Sequence, residues 1–247
     1  PNLKLINGDA RNENLIKKHI KSADIIIPLA CLVGAPLCDK DRINAKTINF
    51  DAIELILKNR SINQKIIFPT TNSGYGIGEE GILCTEETPL NPISLYGTLK
   101  VDIEKQILKS SGSITLRLAT VFGISPRMRL DLLVNDFVYR AVNDGAIVIF
   151  EGHFKRNFIH VRDVANVFLH CINNFERMEG EAFNVGLSDA NLSKIELCEV
   201  IKTIVPKFVF IESDINEDPD KRNYIVSNEK IEKTGFKTNY DLDYGIK

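Results

Sequence analysis

Two residues four positions apart carry side chains that together could move a proton to or from a hydroxyl group. Tyr96 and Lys100 lie near the start of a segment with helical periodicity, so both side chains would project from one helix face. An ammonium close to a phenol favours the phenolate and lowers a tyrosine pKa from about 10. Such a tyrosine can act as an acid or a base. A tyrosine and a lysine on a solvated helix face give the same spacing, so both interpretations stay open.

A second segment places a hydroxyl group ahead of this pair. The apolar run Ile66-Ile67-Phe68 continues through Pro69-Thr70-Thr71-Asn72-Ser73 into glycines. Polar side chains at the carboxyl end of a parallel strand face the crevice in which α/β sheets bind ligands. Thr71 is therefore a candidate site residue, although a threonine that only caps a turn fits the same pattern.

The surrounding segments alternate between strand and helix patterns. Runs of β-branched and aromatic residues predict strands at Leu3 to Ile6, Ile25 to Leu29, Lys65 to Phe68, Ile114 to Leu118, Ile147 to Phe150 and Phe183 to Val185. Apolar positions three or four apart predict helices at Glu13 to Ile20, Asn44 to Asn59, Ile93 to Ser110, Leu130 to Asp144 and Val161 to Asn174. This alternation predicts an α/β fold with a doubly wound, Rossmann-type parallel sheet and a smaller α/β lobe toward the C-terminal side.

Composition and charge argue against several classes of protein. A net charge of −2 without a basic run disfavours a nucleic acid or a membrane surface as partner. The five cysteines are widely spaced without a metal-ligand pattern, so we expect no metal site and a reducing cytoplasm. The first residues lack the apolar core of a signal peptide, and no apolar run is long enough to span a bilayer.

Six short motifs follow one another in an order that resembles a known family. They are Pro28-Leu29-Ala30-Cys31, the hydroxyl turn at Thr71, Tyr96-x-x-x-Lys100, Arg117-Leu118-x-x-Val121-Phe122-Gly123, Phe158-Ile159-His160-Val161-x-Asp163 and Phe183-Asn184-Val185-Gly186. Each motif alone is weak. In series, over nearly the whole chain, they resemble the extended short-chain dehydrogenases that act on nucleotide sugars, the NAD-dependent epimerase/dehydratase family.

The resemblance implies NAD as cofactor and a role for each matching residue. Tyr96 matches the acid/base, and Lys100 matches the group that holds the nicotinamide ribose and tunes the tyrosine. Thr71 matches the serine or threonine whose hydroxyl stabilises the alkoxide that forms as hydride leaves. The implied cofactor-binding residues are Asp9, Ala10, Leu29, Ala30, Cys31, Asn49, Tyr96, Lys100 and Val121.

One feature of the family does not occur in this sequence. The family begins with a strand, a Gly-x-x-Gly-x-x-Gly turn and a helix that together hold the cofactor's pyrophosphate. We therefore expect that first unit to lie outside this sequence, so that residues 1–123 form an N-terminally incomplete NAD-binding domain. Residues 124–247 are expected to form mainly a substrate-binding lobe, with about 157–186 returning to the first domain. A non-catalytic binding protein on a degenerate dehydrogenase fold is the competing interpretation.

Arginines in three loops are candidates for binding a diphosphate, because guanidinium groups make paired, charge-assisted hydrogen bonds. Arg127 and Arg129 share one loop, where solvated surface charge is an equally good explanation. The resemblance assigns Arg156 and Arg222 to the pyrophosphate of a GDP- or UDP-linked sugar. By the same resemblance, Thr120 replaces the asparagine that UDP-galactose 4-epimerases have near the nicotinamide and substrate, which weakens the match to that enzyme.

The residues after Thr71 bear on the type of reaction. Dehydratases of the family carry Thr-Asp-Glu there, whereas Asn72 and Ser73 supply no carboxyl acid or base. Hydride transfer at one carbon, C4, is therefore expected, as epimerisation or as oxidation or reduction with release of the product. The runs Thr71 to Gly78 and Ser125 to Phe137 resemble a narrower branch in surface-polysaccharide pathways, for which the nearest match is the GDP-heptose 4-dehydrogenases.

The family's four-helix interface implies a homodimer through the helices at Asn44 to Asn59 and Ile93 to Ser110. The apolar side chains assigned to that interface are Ile53, Ile56, Leu57, Val101, Ile103 and Ile107, with core packing as the alternative.

Overall fold

The computed structural model describes residues 3–213, 215 and 221–247, and it confirms the predicted α/β class with a parallel sheet. In chain order the helices are α1 (Glu13–Ile20), α2 (Ala35–Lys40), α3 (Arg42–Lys46), α4 (Ala52–Asn59), α5 (Leu95–Leu108), α6 (Leu133–Asn143), α7 (Val161–Asn173), α8 (Phe175–Met178), α9 (Lys194–Ile204), α10 (Glu229–Lys233) and α11 (Leu242–Ile246). The strands are β1 (Ile25–Ile26), β2 (Lys65–Thr71), β3 (Leu83–Cys84), β4 (Ser113–Leu118), β5 (Thr120–Phe122), β6 (Ala146–Ile149), β7 (Lys155–His160), β8 (Ala182–Val185), β9 (Asn191–Ser193), β10 (Val209–Glu212) and β11 (Ile225–Val226). None of the helices described is long and apolar enough to cross a membrane.

The main sheet has the order β1-β2-β4-β8, with every neighbouring pair parallel. Both of its faces are covered, as parallel sheets require. Ile66 and Phe68 pack on one side with residues of α4 and α5, whereas Ile67 and Leu116 pack on the other with residues of α7. The last residue of β2, Thr71, pairs with the last residue of β4, Leu118, so the two strands end together.

The chain leaves the main sheet directly after β4. β5 begins two residues later and pairs in parallel with β7, which pairs antiparallel with β9. A separate hydrophobic cluster packs α6 and α9 against β6 and β7. Strand β8 then returns to the main sheet beside β4. The division into a cofactor domain and a substrate lobe stays a prediction.

Three predicted elements are wrong or incomplete. The strand predicted at Ile25 to Leu29 is limited to β1, Ile25–Ile26. Residues 3–6 form no strand, and Leu3 and Leu5 are 89% and 90% exposed. A strand needs a hydrogen-bonding neighbour, and no described strand lies beside this segment. The long helix predicted at 44–59 is interrupted by a π-helical turn, Thr47–Asp51, between α3 and α4.

The apolar residues assigned to a dimer interface are also placed differently. Ile53, Ile56, Ile103 and Ile107 are buried in the cluster between the main sheet and its helices, and Leu57 packs against that cluster. Val101 is buried as well. These side chains are core because α4 and α5 turn their apolar faces toward the sheet. The homodimer stays a prediction, and these residues do not form its surface.

A buried ion pair joins α5 to the main sheet. Oε1 of Glu104 accepts hydrogen bonds from Nε and Nη2 of Arg117 at 3.0 and 2.7 Å. Nη1 of Arg117 donates to the hydroxyl of Tyr75 at 3.0 Å, and that hydroxyl lies 2.7 Å from Oδ1 of Asn184 on β8. One guanidinium therefore connects β4, α5, the turn after β2 and β8.

We predict that Arg117→Met lowers the free energy of unfolding by about 3 to 5 kcal/mol, because it leaves the Glu104 carboxylate buried without its partner. The matched control is Lys233→Met, which removes a cation from the exposed pair with Glu229 and should cost less than about 1 kcal/mol. Urea unfolding of both variants measures the difference. Equal losses in the two variants would contradict the prediction.

Candidate active site

A cavity of about 400 Å³ lies at the carboxyl ends of β2 and β4, where the chain passes from the main sheet to the second one. This is the edge at which open parallel sheets bind ligands. The cavity is lined by side chains from the loop after β1, the end of β2, α5, β5 and the loop that follows it, and the segment before β11. The predicted site residues among them are Leu29, Cys31, Thr71, Tyr96, Lys100, Thr120, Val121, Arg127, Arg129 and Arg222.

Helix α5 presents Tyr96 and Lys100 on its cavity face. The helix begins after Ser94, whose hydroxyl accepts a hydrogen bond from the backbone N–H of Gly97. A Cβ atom on Gly97 would lie 3.3 Å from the carbonyl oxygen of Ser73, so glycine allows the helix to approach the turn closely. Lys100 is buried, with Nζ donating to the carbonyl of Pro69 at 2.9 Å.

The turn after β2 holds two hydroxyl groups together. Oγ1 of Thr71 lies 2.9 Å from Oγ of Ser73, and it also accepts from the backbone N–H of Ser73 at 3.1 Å. Arg222 donates to Oγ of Ser73 from the other side. Both hydroxyls line the cavity beside Tyr96.

Burial is the main influence on the acid–base groups. It raises the pKa of Tyr96 above its ordinary value, with Cys31 acting in the same direction, whereas the charge of Arg222 and the side chain of Thr71 act to lower it. Burial also lowers the pKa of Lys100. The effect of the Lys100 charge on the tyrosine pKa stays a prediction, and the charge of Arg222 acts in the same direction.

Leu29, Cys31 and Val121 line the cavity, whereas other residues predicted to bind the cofactor lie elsewhere. Asp9 accepts from Nε and Nη2 of Arg11, and neither Asp9 nor Ala10 lines the cavity. Ala30 is exposed outside it.

Asn49 supports the cavity from behind. It is buried in the π-helical turn, accepts from the backbone N–H of Leu32 at 2.8 Å and donates to the carbonyl of the same residue at 2.9 Å. Asn49 therefore fixes the loop after β1 rather than contacting the space in front of it.

Three of the four predicted arginines reach the cavity. Arg127, Arg129 and Arg222 line it, and Arg129 is paired with Asp131 at 2.5 Å. Arg156 is buried instead, with its guanidinium carbon 5.6 Å from the centre of the Tyr224 ring. Tyr224 itself lines the cavity, so Arg156 lies behind it.

Asn135 was not predicted from the sequence, although it contacts both ends of the arginine loop. Its Oδ1 accepts from the backbone N–H of Gly123 at 3.0 Å, and its Nδ2 donates to the carbonyl of Arg129 at 2.9 Å. One feature of the sequence could have identified Asn135: it is a polar residue on the otherwise apolar face of α6, beside the core residues Val134 and Phe137.

We predict that Asn135→Ala loosens the arginine loop, because two backbone groups lose their partner. The free energy of unfolding should fall by about 1 to 3 kcal/mol, and amide hydrogen exchange in residues 123–132 should become faster. Asn143→Ala is the control, since Asn143 is exposed on the same helix and donates only to the carbonyl of Tyr139. Unchanged exchange in the loop would refute the assigned role.

Two known proteins are similar to this chain over its whole length. The chain is 26% identical to a putative UDP-glucose 4-epimerase of Methanocaldococcus jannaschii, over 100% of this chain and 83% of the relative. It is 23% identical to the low-salt glycan biosynthesis protein Agl12 of Haloferax volcanii, over 100% of this chain and 80% of the relative.

A solved structure shares the fold. The UDP-glucose 4-epimerase of Thermotoga maritima, determined with UDP-glucose, superposes with a TM-score of 0.83 at 21% identity, over 98% of this chain and 81% of that one. The model of the NAD-dependent epimerase/dehydratase family matches residues 1–186. This match covers more than half of the chain and includes β2, the turn after it and α5, and the chain therefore belongs to the NAD-dependent epimerase/dehydratase family.

Proposed function

We propose that the protein transfers hydride between NAD and C4 of a nucleotide-diphosphate sugar, as an epimerase or as a 4-dehydrogenase. The observation that carries this proposal is the convergence of three kinds of group on one cavity. Tyr96 and Thr71 supply acid–base and hydroxyl groups, Leu29 and Val121 supply apolar walls, and the arginines supply positive charge.

The residues around Lys100 fit the redox half of NAD. The Lys100 ammonium has three N–H donors, and one of them bonds to the carbonyl of Pro69. The ammonium can therefore also donate to ribose hydroxyls. Leu29 and Val121 offer apolar surface for a planar ring. When bound, NAD accepts the hydride and can return it. Among the residues that the structure describes, no glycine-rich turn opens a helix, so we assign its pyrophosphate to none of them.

Tyr96 and Thr71 divide the proton chemistry between them. As hydride leaves the sugar carbon, the phenolate of Tyr96 takes the proton of the sugar hydroxyl. Thr71 donates a hydrogen bond to the same oxygen and stabilises its negative charge. In the reverse direction Tyr96 returns the proton. Arg222 supports the phenolate form, because its charge acts to lower the pKa of Tyr96.

Elimination is disfavoured by the groups around the turn. Asn72 is buried and does not line the cavity, and Ser73 offers only a neutral hydroxyl. Glu79 and Glu80 are exposed in the loop that follows. Glu86 accepts from the backbone N–H of Asn184 at 2.7 Å. None of these carboxylates lines the cavity in which the sugar is expected to bind.

The arginines favour a diphosphate-linked substrate without selecting its base. Arg127, Arg129 and Arg222 line the cavity, and guanidinium groups can form paired hydrogen bonds to phosphate oxygens. UDP- and GDP-linked sugars present the same diphosphate. The relatives named above favour UDP, whereas the resemblance of the sequence to GDP-heptose 4-dehydrogenases favours GDP.

We predict that the product keeps every oxygen of the sugar. Candidate UDP- and GDP-sugars incubated with the protein and NAD should yield an isomer of equal mass or a keto sugar two hydrogens lighter. Mass spectrometry of the products decides between epimerase and dehydrogenase. Loss of one water, about 18 mass units, would show that the protein catalyses elimination and would contradict the prediction.

We predict that Tyr96→Phe lowers kcat by at least about 100-fold, because the ring stays and the proton-transfer group is lost. NAD binding, measured by fluorescence titration, should stay within about threefold of the wild type, since Lys100 is unchanged. Tyr139→Phe removes an exposed hydroxyl and is the control. Substantial turnover by Tyr96→Phe would reject the acid–base assignment.

A further inference from the structure

Ser73 is a polar residue of the cavity to which the proposed reaction gives no role. Its side chain is 1% exposed, and its hydroxyl lies between Thr71 on one side and Arg222 on the other. A buried hydroxyl in contact with a guanidinium can only accept from it, because a guanidinium has no acceptor. The proton of Ser73 is therefore directed away from Arg222.

On its other side the Ser73 hydroxyl contacts Thr71. The two oxygen atoms are 2.9 Å apart, a distance at which either hydroxyl can donate to the other. Because Arg222 donates to Ser73, a bond from Ser73 to Thr71 would continue a chain of donors in one direction. Oγ1 of Thr71 also accepts from the backbone N–H of Ser73, which leaves the proton of Thr71 to point into the cavity. A guanidinium at the start of such a chain strengthens each following donor, because hydrogen bonds in series polarise one another.

We propose that Ser73 is a positioning residue for hydride transfer, which receives a hydrogen bond from Arg222, donates to Thr71 and thereby presents the Thr71 proton to the sugar oxygen beside Tyr96. This inference rests on the proposed function. In this arrangement Arg222 has two roles. It contacts the diphosphate, and its hydrogen bond to Ser73 polarises the hydroxyl groups of the turn after β2.

The surroundings of Tyr96 agree with this arrangement. Tyr96 is faced by Cys31 and Cys38 near α2, by Arg129 from the loop after β5, and by Arg222. Lys100 lies one helical turn farther along α5. Arg222 acts to lower the pKa of Tyr96, and so does the side chain of Thr71. Loss of Arg222 should therefore raise the pKa of the catalytic base.

Steady-state kinetics of three variants provide the first test of the proposal. Ser73→Ala should lower kcat by about 100-fold with KM within about threefold, because Thr71 loses its orientation while the diphosphate contacts remain. Ser73→Thr keeps the hydroxyl and should recover most of kcat. Arg140→Met, which removes an arginine outside the cavity, should leave both constants unchanged.

Combining two of the substitutions separates the tasks of Arg222. Arg222→Met should raise KM whether residue 73 is serine or alanine. In the oxidising direction, which needs the deprotonated tyrosine, it should also move the rise of kcat to higher pH in both backgrounds. The limiting kcat at high pH, where Tyr96 is deprotonated in every variant, should fall with Arg222→Met only when Ser73 is present. Wild-type kcat in Ser73→Ala, or equal losses of the limiting kcat from Arg222→Met in both backgrounds, would overturn the proposal.

A crystal structure of Ser73→Ala separates failure of this inference from failure of the proposed function. If the wild-type protein carries out no NAD-dependent turnover, the proposed function fails. The position of Thr71 then decides the present inference by itself. A rotated Thr71 side chain in Ser73→Ala supports the contact, whereas a Thr71 unchanged from the wild type overturns it.

Discussion

The ion pair between Arg117 and Glu104 fixes the helix that carries Tyr96 and Lys100, the residues proposed to take part in the reaction. Taking two charges out of water costs several kcal/mol for each ion, and only a close, multiply hydrogen-bonded geometry offsets that cost. Glu104 is one turn beyond Lys100 and two turns beyond Tyr96 on the same face of α5. A helix held at Glu104 therefore holds its rotation at the other two positions. The same guanidinium contacts Tyr75, so the turn that carries Thr71 is fixed by the same interaction.

The cavity combines low polarity with positive charge. None of its described lining residues carries a carboxylate, whereas Lys100 and three arginines face it. Burial keeps Tyr96 protonated more strongly than in water, and the nearby cations act against that tendency. Such a site stabilises an oxygen as it becomes negative and attracts an anionic substrate, because low polarity strengthens the field of the cations.

The fold was largely predictable because parallel strands leave a local pattern. Ile66, Ile67 and Phe68 are consecutive apolar residues, as a strand covered on both faces requires. Residues 3–6 carry a similar pattern but form no strand, since pairing depends on a neighbour and not on local sequence. The bonds of Asn135 to Gly123 and of Arg222 to Ser73 were not predictable, because they join segments distant in sequence and leave no periodicity.

The contact between Arg222 and the turn after β2 joins two segments that are synthesised at different times during translation of the chain. The turn leaves the ribosome well before the segment that polarises it, and β11, which pairs with β3, follows that segment in the chain. During translation at about 5 to 20 residues per second, the main sheet has all of its described strands several seconds before Arg222 emerges. The strands of the main sheet are therefore synthesised before the arginine that contacts the turn, and a chain that stalls in this interval contains those strands but lacks the contact.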